Sequence, residues 1–216
     1  MHLRIGLAVN HYVAGAFEML PGYDNSSFQD LWWGVVGTSP FTLHEACLTE
    51  QRGSGKNRRT VTVFEGSIMA LGFTRAFTGT TVIEPNGERR KFLIGGEKET
   101  ATIGGIELGR VDLVDPRFEE RFTVWSNDQV EARYLLHPVM MERLIALETS
   151  LHGKRIRCAF ENGDLLVAVE GGNLFEPGDL FKPLVDPSRA RRIVDEIASV
   201  VKVMDQVLTA QNMRPR

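Results

Sequence analysis

Hydrophobic and polar positions alternate most densely between Arg121 and Pro138, in the stretch RFTVWSNDQVEARYLLHP. Phe122 and Val124 fall on one side of an extended chain, with Arg121, Thr123 and Trp125 on the other, which is the two-residue period of a strand. Ser126-Asn127-Asp128 follows, three residue types that bond to their own backbone and tolerate tight conformations, so a turn is expected there. Beyond it Val130, Ala132, Tyr134 and Leu136 recur at every second position. That spacing predicts a second strand, with Glu131 and Arg133 on its other face, roughly 7 Å apart along the backbone.

Upstream, Pro21 to Phe28 is rich in turn formers and marks the entry to the folded part. Strand patterns then cover Phe41 to Gln51, Arg59 to Phe64, Ile68 to Phe73 and Thr80 to Glu84. Pro85 to Gly105 is polar and punctuated by glycine, which predicts a surface excursion with one short strand at Lys91 to Ile94. Gly109 to Val114 reads as a strand and Pro116 to Arg121 as a turn. Downstream, Pro138 suits a first helical position, and Met140, Leu144, Leu147 and Leu151 recur at helical spacing until Gly153 ends the run. Arg155 to Phe160 and Leu165 to Glu170 flank Asn162-Gly163, the strongest short hairpin signal. Folding about that turn sets Phe160 against Leu165, Cys158 against Val167, Ile156 against Val169 and Arg155 against Glu170, a register that a one-residue slip would ruin. Gly171 to Val185 is a loop carrying LFEPGDLF. Asp186-Pro187 opens a last helix whose apolar stripe is Ile193, Ile197, Val200, Val201, Met204 and Leu208.

These elements predict an α+β class. A mostly antiparallel sheet, with partial closure into a barrel as an open variant, carries one internal helix and a long C-terminal helix. Residues 1–23 are expected to form a helical connector, 24–211 a single domain and 212–216 a disordered tail. At 216 residues with 43% hydrophobic and 25% charged content, the chain supports one sizeable core. A net charge of −3 opposes wholesale nucleic-acid binding. That reading would need Lys56, Arg58, Arg59, Lys154, Arg155 and Arg157 on one face. Cys47 and Cys158, with no convincing signal sequence before them, suit a reducing compartment, and the apolar row around Cys158 makes it a core thiol. No run of about 20 apolar residues is present, so no membrane-spanning helix is expected.

The motifs of common chemistries are incomplete. GSGKNRR places Glu50 and Asn57 where a phosphate-binding Walker loop needs glycine and a hydroxyl, so a solvated hairpin tip is expected, with contact to anionic lipid or protein as the lesser option. His44-Glu45 has Leu48 where a second zinc ligand would stand. No metal site and no cofactor are expected. The residues that suggest a binding site are Asp128, Glu131, Arg133 and Glu176. With His137, carboxylates of this kind do acid/base work when burial raises a pKa, which is the basis of a hydrolase or isomerase alternative. The simpler alternative is a structural Glu131 and Arg133 ion pair beside a loop capped by Asp128.

The motifs DQVEARYLLHP and LFEP resemble those of a bacterial family of unknown function, domain of unknown function 3137. The resemblance extends over Asp24 to Leu208, strongest from Val111 and weaker before Phe41. Its members commonly carry two membrane helices ahead of this domain, and no activity is attached to them. The resemblance implies a chain that starts after, or has lost, such a membrane segment. The expectation is therefore a non-catalytic binding or interaction module, cytoplasmic, at the inner membrane face. Its partner would be a protein or a small-molecule ligand, not a nucleic acid, with peripheral membrane association.

Overall fold

In a computed structural model, the described residues are 18–36, 39–73, 76–88, 99–150 and 153–171, with the single positions Arg191, Asp195, Ala198 and Lys202. Nine strands form one sheet: β1 (Asn25–Val36), β2 (Ser39–Arg52), β3 (Arg59–Gly72), β4 (Thr81–Pro85), β5 (Thr100–Ile103), β6 (Ile106–Arg110), β7 (Phe122–Ser126), β8 (Gly153–Glu161) and β9 (Asp164–Gly171). Their order is β1-β2-β3-β9-β8-β4-β7-β6-β5, and every neighbouring pair is antiparallel. Three helices are α1 (Pro116–Glu119), α2 (Gln129–Leu135) and α3 (Pro138–Ser150).

The hairpin of β8 and β9 has the register its apolar rows dictate, with Phe160 opposite Leu165, Cys158 opposite Val167, Ile156 opposite Val169 and Arg155 opposite Glu170. Asn162 and Gly163 both have positive φ, 51° and 93°, as a type I′ turn demands. Both strands lie at the middle of the sheet and are buried on both faces. Ile156, Cys158, Phe160, Val167 and Val169 pack on one side, with Leu43, Met69, Ile83 and Val124, beneath Phe118, Ala132, Leu135, Met140 and Leu144 of the helices. Ala159, Leu166 and Ala168 pack on the other side, with Leu48, Phe64, Ile68, Val82, Leu108 and Trp125. Burial of the larger of these side chains stabilises the fold by about 1.5 to 3 kcal/mol each before entropy is counted. Neither cysteine is in a disulfide; Cys158 is buried and Cys47 partly exposed.

The structure corrects the predicted architecture in four places. The sheet is open, with β1 and β5 as its edges, and does not close into a barrel. Three short helices take the place of one internal helix. No long C-terminal helix stands among the described elements: beyond Asp186 only Arg191, Asp195, Ala198 and Lys202 are described, each helical, and the apolar stripe lies outside the described residues. Residues 129–135 are helix α2, not a strand. The reason is local, because Asp128 caps that helix, its Oδ1 accepting from the amides of Val130 at 3.1 Å and Glu131 at 2.9 Å, and an alternating pattern over seven residues cannot outweigh a satisfied cap. Residues 1–17 of the predicted helical connector and the strand at Lys91 to Ile94 lie outside the described residues, and the connector's last residues, 18–23, are described without helix. Among the described residues no helix is long and apolar enough to cross a membrane.

Candidate functional site

Asp128 and Glu131 come together, and what they hold is backbone. The Glu131 carboxylate accepts from the amide of Thr78 at 2.9 Å and from that of Gly79 at 2.7 Å. Asp128 Oδ2 accepts from the Thr78 hydroxyl at 3.0 Å, and Asn127 Oδ1 accepts from the Thr80 amide at 2.8 Å. Ser126 completes the group by donating its hydroxyl to the Thr80 carbonyl at 3.1 Å. The polar turn therefore clamps residues 78–80 as they enter β4. A side chain at position 79 is excluded, since a Cβ there would lie 2.7 Å from Asn127 Oδ1 and from Asp128 Cβ. Hydrogen bonds to its carboxylate, the Glu131 amide first, hold Asp128 below the ordinary aspartate pKa and so in its ionised form.

The other predicted site residues do not converge on this clamp. Arg133 extends to the carbonyls of Asp112 and Gln129, each at 3.3 Å, because residues two apart on a helix face different ways. The expected Glu131 and Arg133 ion pair is absent, and Arg133 is exposed. His137, ahead of α3, is pushed toward its neutral form by burial. Glu176 lies outside the described residues. The basic residues considered for nucleic acid are likewise dispersed: Arg157 is buried, ion-paired with Glu88 and 3.7 Å from Glu170, and its row, through Ala168, meets β3 at Ile68, nine residues along that strand from Arg59 and the β2–β3 turn. Among the described residues no cluster of three or more potential metal ligands occurs.

A different surface, which the sequence did not suggest, is built at the end of the sheet. Strand β1 pairs on one side with β2, and among the described residues no strand pairs with its other side. Leu31, Trp33 and Val35 repeat at every second position along it and are 46%, 69% and 66% exposed. Beside them a groove of about 310 Å³ is lined by Gly34, Pro40, Phe41 and Thr42 in addition to these three. Gly34 is needed there, since a Cβ would lie 2.9 Å from the Phe41 ring. The lining carries no charged group, so the groove suits an apolar occupant. A free strand edge beside exposed apolar side chains is ordinarily avoided by natural sheets, which blunt such edges with charge or proline. The missing signal was the strand itself: NSSF begins like a turn and LWWGVV is a continuous apolar run, so neither part alternates.

A family model described as "Protein of unknown function (DUF3137)" matches residues 62–208. A search of curated proteins finds no match. Among solved structures, the crystal structure of the mycobacterial trehalose monomycolate transport factor A, TtfA, aligns over 92% of this chain and 97% of that one, at 12% identity and a TM-score of 0.35. A likeness that slight carries no argument.

Proposed function

The chain belongs to the DUF3137 family, whose description assigns no activity, and we propose that it is a non-catalytic binding module that takes up an extended apolar segment of a partner protein along strand β1. The observation that carries this reading is the apolar row Leu31, Trp33 and Val35 standing exposed on an edge strand, next to an uncharged groove. An added strand would use the open edge for main-chain hydrogen bonds and the groove for every second side chain, which is how strand addition combines affinity with specificity. An aromatic anchor in such a row supplies a large share of contact area. β1 and β2 precede residue 62, so the groove is a property of this chain outside the stretch that the family model matches. The hydrolase or isomerase alternative has less support, because the Asp128 and Glu131 oxygens are engaged by residues 78, 79, 130 and 131 and Arg133 faces elsewhere.

Titration with short synthetic peptides of alternating valine and threonine, followed by tryptophan fluorescence, tests this. A saturable blue shift is expected, lost in Trp33→Ser and lost when proline replaces the central valine of the peptide, since proline has no N–H to donate to the edge. Equal binding of the proline peptide, or an unchanged response in Trp33→Ser, overturns strand addition at β1.

A further inference from the structure

The opposite end of β2 carries a second, chemically different surface. Strands β2 and β3 run past both of their neighbours: β1 ends against Thr49, and β9 begins its pairing with β3 only at Gly66. What projects is a two-stranded ribbon from about Glu50 to Val61. Its described residues from Gln51 to Thr60 are all exposed. The ribbon is closed by a 3-10 turn, Gly55–Asn57, with backbone bonds from Asn57 to Ser54 and from Arg58 to Gly55 at 3.2 and 3.4 Å. Gly53 and Gly55 have φ of 90° and 57°, and a Cβ on Gly53 would lie 2.5 Å from the Asn57 carbonyl oxygen, so the tip is tightly wound.

This tip is strongly basic in a chain that is not. Between Glu50 and Arg59 four cations face one carboxylate, whereas the whole chain carries −3, so the remainder holds an excess of six negative charges. The single carboxylate is spent on Arg52, at 2.8 Å. Arg58 and Arg59 form no ion pair among the described residues. Arg52 and Arg59 are direct cross-strand partners. Like charges placed directly opposite destabilise a hairpin, so local stability does not account for the arrangement.

We propose that the β2–β3 tip docks end-on against an anionic phospholipid surface. A convex tip cannot enclose a small anion, so its partner must be an extended array of negative charge. A plane is contacted by the tip alone. The ribbon lacks aromatic side chains on which single-stranded bases stack. Arg52 and the groove of Pro40 and Phe41 sit near opposite ends of β2, roughly 35 Å apart at strand rise. A tip-docked chain therefore holds its apolar groove away from the lipid, free for a second partner.

Co-sedimentation of the full chain with vesicles tests the proposal. Binding is expected to vesicles of equimolar phosphatidylcholine and phosphatidylserine, not to phosphatidylcholine alone, and to weaken as salt rises. Each cation near such a surface strengthens partitioning about fivefold, so Arg58→Ser with Arg59→Ser should weaken it about 25-fold. The pair Arg117→Gln and Lys202→Gln removes the same formal charge elsewhere and should leave binding within a factor of two or three of the parent. Unfolding curves of both double variants that overlay the parent's tie a loss of binding to the tip itself. Equal binding to neutral vesicles, an equal loss in both double variants, or tighter binding to a DNA duplex than to the anionic vesicles overturns it.

Discussion

Glu131 Oε2 lies 2.7 Å from the Gly79 amide, joining helix α2 to the segment that leads into β4 across 52 residues of sequence. The same carboxylate binds the Thr78 amide, so one side chain satisfies two donors that would otherwise lie partly buried without a partner.

Glu131→Ala should destabilise the protein by about 3 to 6 kcal/mol, since hydrogen bonds to a charged group contribute about 1.5 to 3 kcal/mol each and two are lost together. Gly79→Ala should cost about 1 to 3 kcal/mol by crowding Asn127 and Asp128. The two changes break one contact, so the double variant should fall well short of the sum. Arg133→Ala should lie within about 0.5 kcal/mol of the parent and add independently to Glu131→Ala. Urea unfolding of the parent and the five variants, the two doubles included, measures all of this, and a strong coupling between positions 131 and 133 would contradict the observed geometry.

Asp128→Ala should cost about 1 kcal/mol as a lost helix cap, whereas Asp128→Asn retains a good capping oxygen and should cost less. The folded pKa of Asp128 is lowered from the ordinary 3.8, so the carboxylate's contribution is present above that value and lost as pH falls through the folded pKa. The gap between parent and Asp128→Asn should accordingly be flat at neutral pH and close in acid. Denaturant melts at neutral pH and at several pH values below the ordinary aspartate pKa check this. A gap that widens on acidification would show that the charge is not the source.

The Trp125 indole donates to Glu84 Oε1 at 2.8 Å within the second face of the sheet, whereas Trp33 stands in solvent. Trp125→Phe should cost about 1 to 3 kcal/mol, the range for removing one donor from a buried charged acceptor. Trp33→Ser should change stability by less than about 0.5 kcal/mol. Thermal or urea unfolding of each variant separates them, and a large loss in Trp33→Ser would mean that β1 packs against more than its groove.

In the β8–β9 turn, Gly163→Ala should destabilise by about 1 to 2 kcal/mol, because alanine at a φ of 93° carries the steric penalty of left-handed backbone. Asn162→Ala should cost less, since its φ of 51° is within reach of non-glycine residues. Equal losses at both positions would argue against the type I′ geometry.

Two thiols should titrate in the unfolded, unreduced protein. In the native protein Cys47 should react promptly, and Cys158 only at the rate of unfolding. Fewer than two thiols after unfolding would reveal a disulfide that the fold does not hold.

The β8–β9 hairpin was determined by sequence alone, through Asn162-Gly163 and apolar positions whose period leaves one register. Strands at Phe122 to Trp125 and Thr80 to Glu84, and a helix opening at Pro138, were equally legible, because each signal lies within a few residues of the structure it specifies. The turn at Ser126 to Asp128 was readable as polar and capping. Its role as a clamp was not, because the amides it holds are about 50 residues away and a backbone donor has no side-chain signature. Alternation over Val130 to Leu136 pointed to a strand, yet the local cap from Asp128 starts a helix there, and Ala132 and Leu135 then pack on the sheet. The apolar groove was decided entirely by tertiary structure. Leu31, Trp33 and Val35 read as ordinary core residues until the order of strands places β1 at an edge, where none of the described elements buries them.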